Sequence, residues 1–461
     1  MGQNIIDDKN VSYQLDSMIG EGSQGYIYLL RNEDYIAKLF KDGIDESFAR
    51  ARVNFLIQLG LDKNVFAVPQ RFVTAPSIGY IARCAKGMVP LRVLKEPDQD
   101  DIITWFNNTG GLAKRFQILI KLADALRTLH GRGLMYMDLS PNNVFISESP
   151  QKAGLMLIDL DNVCFSSRAC ENIYTPFYGA PEVVNSLEAN TSMSDCYSFA
   201  VIAYELLTTS HPLIGDYVSE SEPEIEDQAL RGMIPWVDNK KETINKRSTG
   251  IPTHFFAGSK LLELFARTFE DGLNDSTKRP TISEWYNALK SNLDELVKCD
   301  NCGIYFPGTK LSSCPLCDMI PPKLLYINIR QWNWEDVYDP KSNTISRQGI
   351  LNDEVISSLI VNTSSRKKIC AHHLMVTGQD IDRDQVIAIV EVDSYSGNGN
   401  ANIRISTYGC ECKLVSSTNP SQPMKVSSKD VFEIKPNEEK YFFCFGNIAA
   451  SQRVITFNYH A

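Results

Sequence analysis

The sequence predicts a multidomain α+β protein, and three observations support this fold class. Residues 13–40 alternate short apolar runs with turn residues, which is typical of antiparallel strands. Apolar residues with helical spacing follow in five longer segments, Glu46–Leu59, Leu112–Leu129, Ser194–Thr208, Ser259–Phe269 and Ile282–Val297. Beyond residue 298, two Cys-x-x-Cys pairs lead into a segment of strand-like runs. A small sheet-rich lobe, a helical lobe, a cysteine module and an all-β domain are therefore expected in that order.

The predicted boundaries lie near residues 298 and 321, where the residue pattern changes abruptly. Residues 1–297 form the first domain, with a sheet-rich lobe at about 12–83 and a helical lobe at about 84–297. Residues 298–320 form the cysteine module, and residues 321–461 form a β-rich accessory domain, a sandwich or a barrel. Its strand-like runs include Val386–Val392, Ile403–Thr407 and Tyr441–Phe445. We expect this domain to dock a regulator or a substrate.

The composition argues against several classes of function. A formal net charge of −10 disfavours a surface built for nucleic acid or for an anionic membrane. No stretch approaches the roughly 20 apolar residues that span a bilayer, and no secretory signal is recognisable. We therefore expect a cytoplasmic protein without nucleic-acid or membrane partners. The 12 cysteines are then expected to be reduced thiols or metal ligands rather than disulfides.

A glycine-rich turn joins the first two long strand patterns. Gly20, Gly22 and Gly25 have the spacing G-x-G-x-x-G, which lets backbone amides approach phosphate oxygens because no Cβ stands in the way. A dinucleotide-binding fold would place a helix directly after Gly25, whereas the residues that follow are aromatic, β-branched and strand-like. A phosphate-binding hairpin is the better interpretation, with Ile19 and Ile27 as further nucleotide contacts.

A lysine lies in the next strand pattern. Lys38 is surrounded by apolar neighbours in Tyr35–Phe40, where a cation without an anionic partner is costly. An isolated lysine of this kind would be read as a strand-edge residue with its amine in water. Its place 13 residues after Gly25 favours instead a partner among the nucleotide phosphates.

An aspartate and an asparagine five residues apart, followed by a second aspartate, give the clearest signal. They are Asp138, Asn143 and Asp159, within the segments YMDLSPNN and LIDLD. Each aspartate alone would be read as a turn former or a surface charge. In this order after the glycine turn and Lys38, the set resembles the catalytic loop and metal-binding segment of the protein kinase superfamily.

The resemblance implies a bilobal protein-kinase fold and transfer of the γ-phosphate of ATP to a protein substrate. Asp138 would act as the base, Lys38 would bind the nucleotide phosphates, and Asn143 and Asp159 would ligate Mg²⁺, which prefers oxygen donors. Thr175, in a segment resembling the end of the kinase activation segment, favours the serine/threonine class.

Four other residues are expected to have structural roles. By resemblance, Glu182 and Arg279 form a buried ion pair that anchors the substrate platform, and Asp195 holds the backbone of the catalytic loop. His130 is expected to be a hydrogen-bonded core residue rather than a base.

The sequence also departs from the family pattern. No acid lies between Ser47 and Leu61 to pair with Lys38, and Glu46 could do so only if its helix were shifted. Met137 replaces an arginine that receives an activation-loop phosphate, and Ser140 replaces a lysine. Asp161 replaces a glycine and leaves the metal ligand intact.

These departures leave alternatives open. A nucleotide-binding pseudokinase that acts as a scaffold is the main one, and a kinase of small molecules is a weaker one. The Thr175–Glu182 stretch argues against the latter because it matches a platform for protein substrates.

Four cysteines form two knuckles with an eleven-residue gap. Cys299, Cys302, Cys314 and Cys317 have the spacing of a closed tetrahedral thiolate site, which predicts a structural Zn²⁺, with iron as the runner-up. His372 and His373 could form a metal pair, but adjacent residues of a strand point to opposite faces, so a structural role is the better interpretation.

The layout of kinase, zinc ribbon and β-domain resembles that of bacterial eukaryotic-like kinases. By that resemblance, von Willebrand A and PP2C-type phosphatase proteins are expected partners.

Overall fold

A computed structural model of the chain describes residues 3–22, 24–31, 34–97, 101–167, 172–308, 311, 313–320, 324–341, 343–363, 365–375, 384–397, 400–435 and 441–459. The chain divides into two compact units. The first contains Met1–Thr253 and Ser259–Leu289, and the second contains His254–Gly258 and Lys290–Ala461.

The first unit begins with a closed barrel. Its strands are β1 (Asn4–Asp7), β2 (Ser12–Glu21), β3 (Gly25–Leu30), β4 (Tyr35–Phe40), β5 (Pro69–Ala75) and β6 (Gly79–Arg83). Neighbours in the order β1-β2-β3-β4-β6-β5 are antiparallel, and β1 pairs with β5 to close the barrel. The predicted sheet-rich lobe began at about residue 12 and missed β1. Apolar side chains of these strands, including Ile5, Leu15 and Val73, fill one core.

Helix α1 (Glu46–Gln58) follows β4, as predicted. The Asp45 side chain accepts a hydrogen bond from the Phe48 amide (2.8 Å), which caps a helix start that otherwise leaves amides without partners. Ala49 and Val53, one turn apart, are buried in a core shared with β5 and β6. This packing holds α1 against the barrel.

The rest of the first unit is mostly helical. Its helices are α2 (Ile102–Asn108), α3 (Gly111–His130), α4 (Pro181–Val184), α5 (Ser192–Thr208), α6 (Asp216–Ser219), α7 (Pro223–Leu230), α8 (Ser259–Phe269), α9 (Asp271–Asn274) and α10 (Ile282–Asp294), whose last residues count with the second unit. Helix α5 begins at a capping box formed by Thr191 and Ser194, and it is buried from Ser194 to Thr208. It is the central element against which α3 packs.

Short strands in this lobe position the predicted site residues. They are β7 (Met88–Pro90), β8 (Leu134–Met135), β9 (Val144–Ser147), β10 (Leu155–Leu157) and β11 (Cys164–Phe165). In the antiparallel pair β9–β10, Val144 lies opposite Leu157. Asn143, just before β9, and Asp159, just after β10, therefore emerge at the same end of the pair. Asp138 follows β8, which pairs with β11.

The second unit is rich in strands. They are β12 (Leu296–Lys298), β13 (Tyr305–Pro307), β14 (Leu325–Asp339), β15 (Thr344–Val361), β16 (Arg366–Cys370), β17 (Val386–Tyr395), β18 (Ala401–Thr407), β19 (Cys412–Ser416), β20 (Met424–Val426), β21 (Val431–Ile434), β22 (Tyr441–Phe445) and β23 (Gln452–Tyr459), with helix α11 (Ala371–Leu374) after β16. The helix predicted to reach Val297 is wrong at its end, because α10 stops at Asp294 and β12 pairs with β13.

Two sheets make the C-terminal part a sandwich. One has the order β15-β14-β23-β22-β19-β20 and the other has the order β16-β17-β18-β21. Side chains of both sheets, such as Ile327 and Ile329 from the first and Val390 and Ile403 from the second, share one hydrophobic core. The three predicted strand runs are confirmed within β17, β18 and β22. Among the described helices, none combines the length and apolar character needed to cross a membrane.

Candidate active site and four-cysteine site

Hydrogen bonds to a residue of helix α5 hold the loop between β8 and β9. The two carboxylate oxygens of buried Asp195 accept hydrogen bonds from the amides of Tyr136 and Met137, each at 2.8 Å. Met137 has a φ of 74°, an unusual conformation for a residue other than glycine, and these two bonds stabilise it. His130 contacts the same carboxylate through Nε2 (3.0 Å). The structural roles predicted for Asp195 and His130 are confirmed.

Asp138 lies in this loop between two side-chain donors. The Thr175 hydroxyl donates to Oδ1 of Asp138 at 2.5 Å, and the Asn143 amide nitrogen lies 3.2 Å from Oδ2. The same nitrogen donates to the Asp138 backbone carbonyl at 2.8 Å. Because its nitrogen is used in this way, Asn143 has its amide oxygen left as a potential cation ligand. The structure thus brings together Asp138, Asn143 and Thr175.

Lys38 extends from β4 to two aspartates beyond β10. Its Nζ lies 2.9 Å from Oδ1 of Asp159 and 2.6 Å from Oδ2 of Asp161. The Asp159 side chain is 39% exposed, whereas that of Asp161 is only 7% exposed. The accessible carboxylate is therefore the one suited to a metal ion, and the buried one is suited to a permanent ion pair.

Charges oppose burial in this cluster. Burial alone would lower the pKa of Lys38, but the carboxylates of Asp161 and Asp159 raise it, so the ammonium form is favoured. Burial, reinforced by the charge of Asp159, raises the pKa of Asp161, while Lys38 acts in the opposite direction. Tyr80 on β6 is fully buried beside these acids, and burial together with their charges raises the pKa of its hydroxyl well above the usual range.

The sequence left open whether Glu46 pairs with Lys38, and in this structure it does not. Glu46 lies at the start of α1 and forms an exposed ion pair with Arg50, one turn further along (3.0 Å). Arg52, on the same helix, instead donates from Nε to the Asp161 carbonyl (2.9 Å) and from Nη2 to the Leu160 carbonyl (3.2 Å). Sequence reasoning missed Arg52. The sequence feature that could have indicated Arg52 is the presence of arginines, and no acid after Glu46, in the helix expected to supply a partner for Lys38.

The glycines of the turn differ in the space around them. A Cβ on Gly25 would lie 2.4 Å from the Leu39 carbonyl oxygen, so this position requires glycine because β3 and β4 approach closely. Around Gly20 and Gly22, a Cβ would meet nothing closer than 3.7 Å. Those two glycines keep the space beside the turn open for a ligand. Ser23, between them and Gly25, is outside the described residues.

The two predicted apolar contacts lie on the strands that border this turn. Ile27 pairs with Gly20 across β2 and β3 and with Lys38 across β3 and β4. Ile19 is on β2 and is 55% exposed. Ile27 therefore lies between the glycine turn and Lys38 in the sheet, whereas Ile19 is on the solvent-exposed side of the turn.

A depression adjoins the Asp138 loop. It has a volume of about 570 Å³, and its lining includes Asn142, Thr175, Phe177 and Glu205. Lys95 reaches its wall and holds the Glu205 carboxylate at 2.9 Å. The depression is thus open next to the Thr175–Asp138 hydrogen bond.

The predicted ion pair between Glu182 and Arg279 is confirmed. Arg279 donates to the two carboxylate oxygens of Glu182 at 2.7 and 2.6 Å. Its Nε also donates to the Gly272 carbonyl at 2.7 Å. The Arg279 side chain is 1% exposed, so this is a buried two-point contact.

The four-cysteine site lies in the second unit. The Sγ atoms of Cys299 and Cys317 are 3.6 Å apart, those of Cys302 and Cys314 are 3.5 Å apart, and all four lie within 4.8 Å of one another. A tetrahedron with metal–sulfur distances of about 2.3 Å has edges of about 3.8 Å, so the donor set fits a thiolate-bound ion. A hydrogen bond from the Asn301 side chain lowers the pKa of Cys317 to about 6, whereas burial raises the pKa of Cys302 and Cys314.

The two histidines are placed differently from the prediction. His372 and His373 lie in the helical turn α11, not in a strand, and their rings are 3.9 Å apart. Nδ1 of His373 accepts from the Cys370 amide (2.9 Å), and its Nε2 lies 3.0 Å from an oxygen of Asp294. Both nitrogens of His373 have protein partners, so a structural role still explains this residue.

The first unit has the arrangement of a protein kinase domain, with a glycine turn, a buried lysine and a loop carrying Asp138. Residues 95–289 match the family model of the protein kinase domain. The chain is 26% identical over 208 residues to a probable cAMP-dependent protein kinase catalytic subunit of Encephalitozoon cuniculi, which is 43% of this chain and 61% of that protein. Residues 95–289 are therefore similar to a protein kinase domain, and these matches support membership of the protein kinase superfamily.

Two further relatives share a comparable fraction of identical residues with this chain. A probable serine/threonine-protein kinase of Plasmodium falciparum is 25% identical over 250 residues, covering 53% of this chain and 46% of the relative. The serine/threonine-protein kinase pkn2 of Myxococcus xanthus is 33% identical over 106 residues, covering 21% of this chain and 13% of the relative. In each case the chain spans less than two thirds of the relative's own length.

Proposed function

We propose that the protein transfers the γ-phosphate of ATP to serine or threonine of a protein substrate. The observation that carries this proposal is the placement of Asp138 between the donors of Thr175 and Asn143, of which Thr175 also lines an open depression. A carboxylate held in this way can accept a proton from a substrate hydroxyl as the hydroxyl attacks phosphorus.

The other predicted residues support the nucleotide side of the reaction. The Lys38 ammonium is oriented toward the site by two carboxylates, and it would contact nonbridging oxygens of the nucleotide phosphates. Gly20 and Gly22 leave room for backbone amides to approach those oxygens. Ile19 and Ile27 would contribute apolar contacts near the turn.

The donor set also fits Mg²⁺. Exposed Asp159 and the amide oxygen of Asn143 are the hard oxygen ligands that this ion prefers. Asp138, Asp159 and Asp161 outnumber Lys38, so a divalent cation would reduce their mutual repulsion. Bound there, Mg²⁺ would neutralise charge on the β- and γ-phosphates during transfer.

A protein substrate is favoured over a small molecule. The depression beside Asp138 is open, and the segment that ends at Glu182 is anchored by the buried Arg279. Thr175 lies at hydrogen-bonding distance from the base, which supports serine or threonine as the acceptor. Phosphoamino-acid analysis of the product would distinguish these acceptors from tyrosine.

The test uses the purified chain with γ-labelled ATP and Mg²⁺. We expect phosphate incorporation into the protein itself or a generic substrate, and its loss in Asp138→Asn and Asn143→Ala. Asn274→Ala is the matched control, because Asn274 is an exposed residue of α9 that does not line the depression beside Asp138. Equal incorporation by Asp138→Asn would overturn the catalytic assignment. Nucleotide binding without any incorporation by the unaltered protein would instead support the scaffold alternative.

For the cysteine site we propose structural Zn²⁺. Four thiolates leave no open position for substrate or water, and about twenty residues cannot bury a core of their own, so the ion would supply folding energy. Elemental analysis of the reduced protein should find one zinc per chain. A red, iron-containing protein would favour the rubredoxin-like alternative.

The β-sandwich is proposed to dock a regulator or a substrate. Partners of the von Willebrand A and PP2C-type phosphatase classes stay a prediction. Co-purification with and without residues 321–461 tests both statements, and unchanged partner binding after deletion would contradict them.

A further inference from the structure

The acid that pairs with Lys38 comes from an unexpected element. Asp161 lies 2.6 Å from Nζ of Lys38 and is as buried as the lysine, since their side chains are 7% and 8% exposed. Glu46, on helix α1, lies instead in the exposed pair with Arg50, where the side chains are 56% and 37% exposed. The buried contact of Lys38 is therefore made by the segment after β10 and not by α1.

Helix α1 nevertheless contacts that segment through the side chain of Arg52. Arg52 donates to the carbonyls of Leu160 and Asp161, at 3.2 and 2.9 Å, and also to the carbonyl of Val163. A guanidinium has a rigid set of donors, so one side chain can hold three carbonyls of a short turn at once, which a lysine cannot do with the same geometry. The turn between Asp159 and Val163 is thus fixed to α1 by its backbone.

We infer that Arg52 and Asp161 together are the positioning residues for Lys38, replacing a direct acid on the helix. Arg52 fixes the turn, and the turn presents the Asp161 carboxylate to Nζ. This inference rests on the proposed function, since it concerns the orientation of the lysine that would bind phosphate. Asp159, the more exposed acid, is then available as a metal ligand without leaving Lys38 unpaired.

Through these contacts α1 would affect activity although its own acid, Glu46, faces solvent. If α1 moved away from the barrel, Arg52 would no longer hold the turn between Asp159 and Val163. The Asp161 carboxylate would then lose its contact with Nζ of Lys38. The lysine would keep only the exposed Asp159, which a metal ion would also attract. The position of α1 is therefore coupled to the orientation of Lys38 through two side chains and three carbonyls.

The first test needs no nucleotide. A double-mutant cycle in urea unfolding combines Lys38→Met with Asp161→Asn, and separately with Glu46→Gln. We expect clear non-additivity for the Asp161 cycle and additivity for the Glu46 cycle, because only the former residues are in contact. Additive effects in the Asp161 cycle would overturn the inference whether or not the protein proves to be an enzyme.

The second test uses phosphoryl transfer. Asp161→Asn and Arg52→Lys should each lower kcat/KM for ATP by roughly 10–100-fold, the effect of losing a hydrogen bond to a charged group. The double variant should be little worse than either single one, while Glu46→Gln and Arg50→Met keep normal activity. Normal activity in Asp161→Asn would refute the inference and leave the proposed function intact. An inactive unaltered protein would refute the proposed function, with the unfolding cycles still deciding the inference.

Magnesium dependence separates positioning from metal binding. If Asp161 were a metal ligand, raising Mg²⁺ would restore much of the activity of Asp161→Asn. A positioning role predicts that the defect persists at saturating Mg²⁺ and that Arg52→Lys behaves in the same way. Rescue of Asp161→Asn alone by Mg²⁺ would overturn the inference.

Discussion

Removal of the Arg279 guanidinium should strongly destabilise the first unit. In Arg279→Met, the Glu182 carboxylate loses two hydrogen bonds of 2.7 and 2.6 Å, and the Gly272 carbonyl loses one of 2.7 Å. The Glu182 side chain is only 12% exposed, so water replaces little of what is lost. Breaking a buried pair in this way costs about 3–5 kcal/mol, a drop of roughly 10²- to 10⁴-fold in the folding equilibrium.

The assay is urea unfolding followed by circular dichroism. Lys278→Met is the matched control, because Lys278 is an exposed neighbour with a loose contact to Asp275 (3.7 Å) and should cost less than about 0.5 kcal/mol. The double variant Glu182→Leu with Arg279→Met should recover part of the loss, because no uncompensated charge stays buried. A loss in Arg279→Met no larger than that of the control would refute the reasoning, and so would a double variant less stable than both single variants.

Three further predictions concern other sites. Burial alone would raise the pKa of Asp7, but hydrogen bonds from two backbone amides and a tyrosine hydroxyl lower it below 3.8, so Asp7→Asn should cost stability at neutral pH. Because the folded-state pKa of Asp7 is lowered, the unaltered protein should exceed Asp7→Asn in unfolding free energy by the full amount above pH 3.8. This difference should vanish as the pH falls through the folded-state pKa. A difference in unfolding free energy that does not change with pH would contradict this. Thr175→Val removes the 2.5 Å hydrogen bond to Asp138 and should lower kcat roughly 10–100-fold, with KM for ATP nearly unchanged in steady-state kinetics. Cys302→Ser should reduce bound zinc and the melting temperature of the second unit, whereas Cys410→Ser, outside the four-cysteine cluster, should change neither in elemental analysis and calorimetry.

Much of the architecture was predictable because it depends on local patterns. Helix α1 and the strands β17, β18 and β22 follow directly from apolar spacing, and the closing of two Cys-x-x-Cys turns on one another follows from ligand spacing. Strand β1 was missed because four residues carry little periodicity, and only its pairing with β2 and β5 makes it a strand. The helical turn at His372 was missed for the same reason of length.

The candidate site residues could be chosen from the sequence, but the contacts among them could not. Asp138, Asn143 and Asp159 have a fixed spacing within one loop and one hairpin, so their proximity is largely local. The Lys38–Asp161 contact joins residues 123 positions apart, and no pattern along the chain shows which of several acids will reach the lysine.

The sequence by itself indicated the resemblance to protein kinases, the order of the sheet-rich, helical, cysteine and β-rich parts, and the candidate residues of the loop, because these depend on which residue types occur at short spacing. Only the tertiary structure decided that the C-terminal part is a sandwich, that Glu46 faces solvent and that Arg52 and Asp161 connect α1 to Lys38. Burial and contact between distant segments depend on how the helix and the barrel pack. Electrostatic partners are chosen at that level, since a buried charge pairs with whichever opposite charge the packing brings within reach.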